Sequence, residues 1–158
     1  AYLGNLRGIP TIDKAIADEE IFGIVSAAMK ESGDGLIKKY GFDPEKHAAY
    51  IKKIISRFKN PYLQDDVTRV GREPLRKLSP TDRLIKPMMT AAGYGLPVDH
   101  LVIGAGAALH YDNPNDKQSV ELQEKIGAQG VRAAAAEITG LTDEGLLDAI
   151  VAEYEKLN

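Results

Sequence analysis

Eight basic side chains are concentrated in residues 57–87, a segment that we call the basic stretch. Only four acidic side chains accompany them, so the segment has a net charge of +4 although the whole chain has a net charge of −3. Guanidinium groups bind phosphate oxygens in pairs and lysine supplies a point charge, so this segment has the chemistry of an anion site. Its basic residues are Arg57, Lys59, Arg69, Arg72, Arg76, Lys77, Arg83 and Lys86.

Prolines and a glycine interrupt the basic stretch at short intervals and predict a bent, fixed backbone. Such a backbone suits the wall of a pocket for a small anion better than it suits a flexible basic tail. A solvated face, whose charges pair with the neighbouring acids, is an equally open alternative. The interrupting residues are Pro61, Gly71, Pro74, Pro80 and Pro87.

A helix is predicted to begin inside the basic stretch, with Ser79 as its cap and Pro80 in its first turn. Arg83 and Lys86 would then project from one face, because they are three residues apart. Pro87 removes a backbone donor and is expected to bend the helix there. The pattern therefore directs two cations towards a kink.

Two further patterns have weaker chemical content. The string VIGAGAA at 102–108 imitates a dinucleotide fingerprint, but its flanks are helical, so Gly104 and Gly106 are expected to allow close helix packing. His110 is either a ligand or acid–base group, or the cap of a helix C-terminus. Neither His47 nor His100 is assigned a role, and the histidine spacing predicts no metal site.

Bulk composition predicts one soluble globular domain over residues 1–158. Hydrophobic residues make up 44% and charged residues 27% of the chain, and no apolar run is long enough for a membrane span. The negative net charge argues against nucleic-acid binding. The absence of cysteine excludes disulfides and suits a reducing cytoplasm. Because the sequence opens at Ala1 without methionine, we expect it to be part of a larger protein.

Apolar residues recur at spacings of three and four, which predicts a chain of helices without strands. Thr11 is a candidate cap, and a long amphipathic helix should end at Gly41. The pair Asp43-Pro44 begins the next helix, and it stops near residue 60. Later helices are predicted at 98–109, 118–129, 131–138 and 146–157. The predicted fold is a single multi-helical, all-α domain.

Several longer strings resemble the C-terminal domain of the mannitol-1-phosphate 5-dehydrogenases, which belong to the polyol-specific long-chain dehydrogenase family. The strings are RFKNPYL at 57–63, DVTRVGREPLRKLS at 66–79 and DRLIKP at 82–87, with YGFD at 40–43, KHAAYI at 46–51 and YGLP at 94–97. The resemblance implies a two-domain enzyme that interconverts D-mannitol 1-phosphate and D-fructose 6-phosphate with NAD.

In that family an N-terminal Rossmann domain makes most of the contacts with NAD. The catalytic K-x4-N-x2-H motif lies upstream of the position that corresponds to Ala1. The resemblance therefore implies no catalytic and no cofactor-binding residue in this chain, which alone should be inactive. Lys86 matches a family lysine that contacts substrate. The other candidates for phosphate and hydroxyl contacts are Arg69, Arg72, Arg76, Lys77 and Arg83.

Tyr62 follows the start of the basic stretch and is interpreted either as support for the pocket wall or as a core residue. Two other functions remain open. One is a polyol or sugar-acid dehydrogenase with an unphosphorylated substrate, and the other is a non-enzymatic helical module that binds an acidic partner. A concave basic pocket would favour an enzyme, and a flat basic face would favour the module.

Overall fold

Eleven α-helices follow one another along residues 1–157, the part of the chain that the computed structural model describes, and no strand occurs among them. This confirms the all-α prediction. The helices are α1 (Tyr2–Leu6), α2 (Ile12–Ala17), α3 (Glu19–Tyr40), α4 (Pro44–Phe58), α5 (Val67–Gly71), α6 (Pro74–Lys77), α7 (Ile85–Gly93), α8 (Asp99–Leu109), α9 (Lys117–Gln129), α10 (Val131–Thr139) and α11 (Glu144–Lys156). Within residues 1–157, the helices are too short or too polar to traverse a lipid bilayer.

The long helix α3 ends at Gly41 as predicted, but it begins after Asp18, which the sequence analysis did not identify. The predicted cap, Thr11, precedes the short helix α2 and makes no side-chain capping hydrogen bond. The Asp18 carboxylate accepts a hydrogen bond from the backbone N–H of Ile21 at 3.0 Å, which satisfies one of the free donors of the first turn. Gly41 ends the helix with φ of 69°, a left-handed conformation that glycine adopts without steric cost. Gly35 lets α7 approach closely, because a Cβ there would lie 3.2 Å from Cα of Ala91.

The main hydrophobic core lies around α8, which packs against α1, α3, α7 and α11. Residues from five elements are fully buried in it, and each such side chain contributes about 1.5–3 kcal/mol. The largest are Leu78, Ile85, Met88, Leu109, Leu122, Leu147 and Ile150. The core therefore fixes the start of α7, where the basic stretch ends.

The two glycines of α8 have different surroundings. A Cβ at Gly106 would lie 2.9 Å from Cβ of Glu153 in α11, whereas a Cβ at Gly104 would meet nothing within 4 Å. Close helix packing is thus confirmed at Gly106 only. Both residues lie inside a helix, so the string around them has neither the strand nor the turn that a dinucleotide fingerprint requires.

The predicted helix start at Ser79 is wrong, because residues 79–84 form turns and α7 begins at Ile85. The Asp82 carboxylate, which would have joined the first helical turn, instead binds Arg83 and a second arginine. Pro87 is the third residue of α7, where a backbone N–H needs no helical partner. It therefore produces no kink of the predicted kind.

Helix α4 forms as predicted but lies at the edge of the domain. The Asp43 carboxylate accepts a hydrogen bond from the backbone N–H of Lys46 at 2.9 Å, and Pro44 occupies the first helical position. The helix packs mainly on α3, and none of its residues is fully buried. Its apolar stripe, around Ile51 and Ile54, is only half-buried.

The middle of the basic stretch is anchored to the domain by two tyrosines. The Tyr2 hydroxyl donates to the carbonyl of Gly71 at 2.9 Å, and the Tyr111 hydroxyl donates to the carbonyl of Thr68 at 3.0 Å. The two rings meet edge to face, with centroids 5.4 Å apart. Helix α5 is thereby held in place and does not behave as a flexible tail.

Candidate substrate site

An apolar cavity of about 370 Å³ lies between α1, α3 and α8. Its aliphatic walls come from Ile21, Ile24, Val25, Met29 and Leu101. Ala1 and Tyr2 lie at its margin, so the first residues of the chain border the cavity. We refer to it below as the apolar cavity.

A second concavity, the basic groove, adjoins the apolar cavity and has a volume of about 810 Å³. Arg83, Tyr50, Ser32 and Leu36 line both, so the two form one continuous depression. Basic and hydroxyl-bearing side chains distinguish the groove. They are Lys39, Tyr40, Arg83, Lys86, Thr81 and Thr90. The basic stretch therefore contributes to a concave surface, which suits a small anion.

Arg83 is fixed at this junction by Asp82. Its Nε donates to Oδ1 of Asp82 at 3.0 Å, while Nη1 of Arg76 donates to Oδ2 at 2.9 Å. The backbone and side-chain N–H groups of Arg83 lower the pKa of Asp82. This carboxylate is thus ionised at neutral pH and shared by two guanidinium groups. Because Arg76 also binds Glu73, the charges of this cluster are balanced.

Lys77 is a buried cation behind the same region. Its residue is only 4% exposed, its ammonium donates to the carbonyl of Val70, and its Nζ lies 5.8 Å from the centre of the Tyr2 ring. Burial, and then the charges of Arg83 and Arg76, lower the pKa of Lys77 to about 8. A backbone carbonyl and a ring face thus stabilise this ammonium group.

Four of the predicted contact residues line neither concavity: the buried Lys77, and Arg69, Arg72 and Arg76. Arg69 forms an ion pair with Asp65, one turn earlier. Arg76 binds Glu73 at 2.8 Å as well as Asp82. Arg72 follows the end of α5 and is exposed. Arg69 and Arg76 therefore lie on a solvated face with paired charges, which was the alternative interpretation of the basic stretch. Arg83 and Lys86, by contrast, lie in the groove.

Sequence reasoning missed the side chains that the other helices add to the groove. Lys39 and Tyr40 lie at the end of α3, and Tyr50 lies on α4. Lys39 follows Lys38, and a lysine pair in the last turn of a helix is common because it complements the helix dipole. Only the packing of α3 on α7 shows that Lys39 lies beside Lys86.

The histidines have distinct surroundings. His110 caps the C-terminus of α8, which was one of the two predicted alternatives. Its Nε2 lies 2.7 Å from the carbonyl oxygen of Tyr154, and the imidazole ring stacks on the Tyr154 ring with centroids 3.9 Å apart. His100 and His47 both border the apolar cavity. His47 packs over Gly33, where a Cβ would come within 2.8 Å of the imidazole ring.

Tyr62 lies in the loop after α4 and is 92% exposed. The interpretation as a core residue is therefore wrong. The loop itself is well defined, because the Asn60 side chain accepts a hydrogen bond from the backbone N–H of Tyr62 at 3.0 Å. Neighbouring Phe58 and Leu63 are also exposed, at 38% and 51%. The chain thus holds a set of apolar side chains in water beside the groove-lining helix α4.

Comparison with known protein families gives one match. A family model described as the mannitol dehydrogenase C-terminal domain matches residues 1–158, which is the whole of the chain.

Proposed function

The chain belongs to the mannitol dehydrogenase family, as its C-terminal domain, and we propose that it is the substrate-binding half of an NAD-dependent enzyme that interconverts D-mannitol 1-phosphate and D-fructose 6-phosphate. The family assignment makes the chain part of a dehydrogenase of polyols. The phosphorylated substrate is the further step, and the charge of the basic groove supports it.

The observation that carries the proposal is the continuity of the apolar cavity with the basic groove, with Arg83 at their junction. The dianionic end of a sugar phosphate needs cations, and its hydroxyl groups need hydrogen-bonding partners, such as the hydroxyl of Tyr50 at the junction, because aliphatic walls provide none. Arg83 and Lys86 supply such cations in the groove. Arg69 and Arg76 do not enter the proposal, because they line neither concavity.

We propose that the reacting carbon lies towards Ala1 and the phosphate towards the groove. The family resemblance places the catalytic lysine, asparagine and histidine just upstream of Ala1, and Ala1 borders the apolar cavity. Tyr2, which follows Ala1, is held against the domain, because its hydroxyl donates to the carbonyl of Gly71 at 2.9 Å. The domain would thus orient substrate beneath the catalytic residues of its partner.

The proposed partner is an N-terminal cofactor-binding domain. The helical string at 102–108 does not fit a dinucleotide, so we assign the contacts with NAD to that domain. We propose that the cofactor domain packs on the exposed loop at 58–63 and on the weakly buried helix α4. This surface lies next to the substrate site, because Tyr50 of α4 lines both the apolar cavity and the groove. A cytoplasmic location, expected from the lack of cysteine, remains a prediction.

Steady-state kinetics of the two-domain enzyme would test the proposal. We expect D-fructose 6-phosphate to be reduced with a much higher kcat/KM than D-fructose. Arg83→Met should lower the kcat/KM for D-fructose 6-phosphate by about ten- to a hundredfold, because one charge-assisted contact is lost. Arg69→Met serves as the matched control, because its guanidinium lies outside the groove. Equal kcat/KM values for the two sugars would contradict the phosphate assignment and favour an unphosphorylated polyol.

A second test compares the 158-residue chain alone with the same chain in the presence of the cofactor domain. The 158-residue chain without a cofactor domain should not oxidise NADH with D-fructose 6-phosphate, because the proposed catalytic residues lie outside it. Adding the separate cofactor domain should restore turnover. Turnover by the chain alone would disprove this division of labour. Binding of an acidic protein to the basic groove, without any effect of sugar phosphates, would instead favour the non-enzymatic module.

A further inference from the structure

We propose that Lys39, at the end of α3, is the second cation of a phosphate subsite whose first cation is Lys86. The inference rests on the proposed function and adds a specificity-determining residue to it. A third concavity, of about 530 Å³, extends the basic groove past these two lysines. Lys39, Lys86 and Thr90 line both the groove and this extension, so they stand together at the boundary between the two.

The position of this subsite is set by rigid elements. Lys86 and Thr90 lie one turn apart on α7, where Oγ1 of Thr90 donates to the carbonyl of Lys86 at 2.8 Å. Helix α7 is anchored by the fully buried Ile85 and Met88. Lys39 comes from α3, which packs closely on α7 where Gly35 meets Ala91. Two exposed lysines from separate, packed helices thus line the same groove.

Charge favours a phosphate monoester as the ligand. Across residues 1–157, neither Lys39 nor Lys86 has a carboxylate within 4 Å of its ammonium group, whereas Arg69, Arg76 and Arg83 each bind at least one. The Nζ of Lys39 instead lies 5.2 Å from the centre of the Tyr40 ring. Lys86 is in the first turn of α7, the positive end of that helix's dipole. The two ammonium groups match the charge and the acceptor oxygens of a dianion.

Arg83 has a different place in this arrangement. It lines the junction of the groove with the apolar cavity, whereas Lys39 does not border that cavity. A ligand whose phosphate lies between Lys39 and Lys86, with Arg83 on the inner side of the phosphate, would therefore extend its carbon chain towards Ala1. This direction agrees with a reaction at a carbon distant from the phosphate.

The test is a comparison of Lys39→Met with Lys38→Met in the two-domain enzyme. Both lysines are exposed and adjacent on α3, but only Lys39 lines the groove. We expect Lys39→Met to raise the KM for D-fructose 6-phosphate and the inhibition constant of inorganic phosphate by about tenfold or more, with a smaller effect on kcat. Lys38→Met should leave both constants within about twofold of the parent enzyme's.

Thermal unfolding of both variants shows whether the fold is intact, and an exposed lysine should be replaceable without loss. If the parent enzyme prefers the phosphorylated sugar but Lys39→Met behaves like Lys38→Met, the subsite is wrong and the proposed function stands. If the parent enzyme shows no preference for the phosphorylated sugar, the proposed function fails first. A tenfold rise with Lys86→Met but not with Lys39→Met would restrict the subsite to α7 and overturn the proposal for Lys39.

Discussion

Glu31 of α3 caps the first turn of α8: its Oε2 accepts a hydrogen bond from the backbone N–H of Leu101 at 2.9 Å. The same oxygen accepts from the backbone N–H of His100 at 3.1 Å, and Oε1 lies 2.7 Å from Nδ1 of the His100 ring. The residue that precedes α8, Val98, has no side chain that could serve as a cap. A buried carboxylate from a distant part of the sequence does so instead.

We expect Glu31→Ala to lower the free energy of unfolding by about 2–3 kcal/mol, because it removes charge-assisted hydrogen bonds and leaves helical donors unsatisfied. Chemical denaturation at neutral pH measures this loss. Glu124→Ala, at an exposed position of α9, is the control and should change stability by less than about 0.5 kcal/mol. Equal effects of the two substitutions would show that the capping interaction contributes nothing.

The two glycines of α8 give a second prediction about stability. Gly106→Ala should destabilise the domain by about 1–3 kcal/mol, because the new Cβ would lie 2.9 Å from Glu153 and 3.0 Å from the backbone nitrogen of Tyr154. Gly104→Ala should be neutral or stabilise by up to about 1 kcal/mol, since alanine favours a helix and nothing lies within 4 Å of its Cβ. Thermal melting of both variants distinguishes the sites, and the reverse order would refute the helix contact.

Helix ends that depend on nearby residues were predictable from the sequence. Gly41 ends α3 and Asp43 begins α4 because each acts on the backbone within a few residues of itself. The start of α7 was not predictable in this way. The Asp82 carboxylate, apparently suited to a helix N-terminus, is bound by Arg76 and Arg83 in the folded domain.

The candidate site was predictable only in part, because it combines residues that are distant in sequence. The charge of the basic stretch drew attention to Arg83, and the resemblance to the family drew attention to Lys86; both residues line the groove. Lys39 and Tyr50 carry no local signal of a binding role, and their place in the groove follows from the packing of α3 with α4 and α7. Local charge does not show which cations the fold places in the groove.

Lys77 should make stability depend on pH above neutrality. Its pKa is about 8 in the folded domain, whereas an unfolded chain has a lysine pKa of about 10.4. Between these values the unfolded chain holds a proton that the folded chain lacks, so the free energy of unfolding rises with pH. From pH 7.5 to pH 9.5 we expect a gain of roughly 2 kcal/mol from this residue.

Urea unfolding of the parent and of Lys77→Met at the two pH values isolates this contribution, because all the other titrating groups are common to both proteins. Lys77→Met should lack the gain, and Lys117→Met, an exposed substitution in the first turn of α9, should retain it. Parallel pH profiles for the parent and Lys77→Met would mean that Lys77 titrates normally, and that its burial does not disfavour the ammonium form.

Tyr62 should matter for the two-domain enzyme and hardly at all for the stability of this domain. Because the side chain is 92% exposed, Tyr62→Ser should change the free energy of unfolding of the 158-residue chain by less than about 0.5 kcal/mol. If the loop packs on the cofactor domain, the same substitution should weaken association of the separately produced domains about tenfold or more, as loss of an interfacial tyrosine does.

Val120→Ser on α9 removes another exposed apolar side chain, at 37% exposure, and should leave association unchanged. Calorimetric titration of one domain with the other measures both effects, and equal affinities for the parent, Tyr62→Ser and Val120→Ser would place the cofactor domain on a different face.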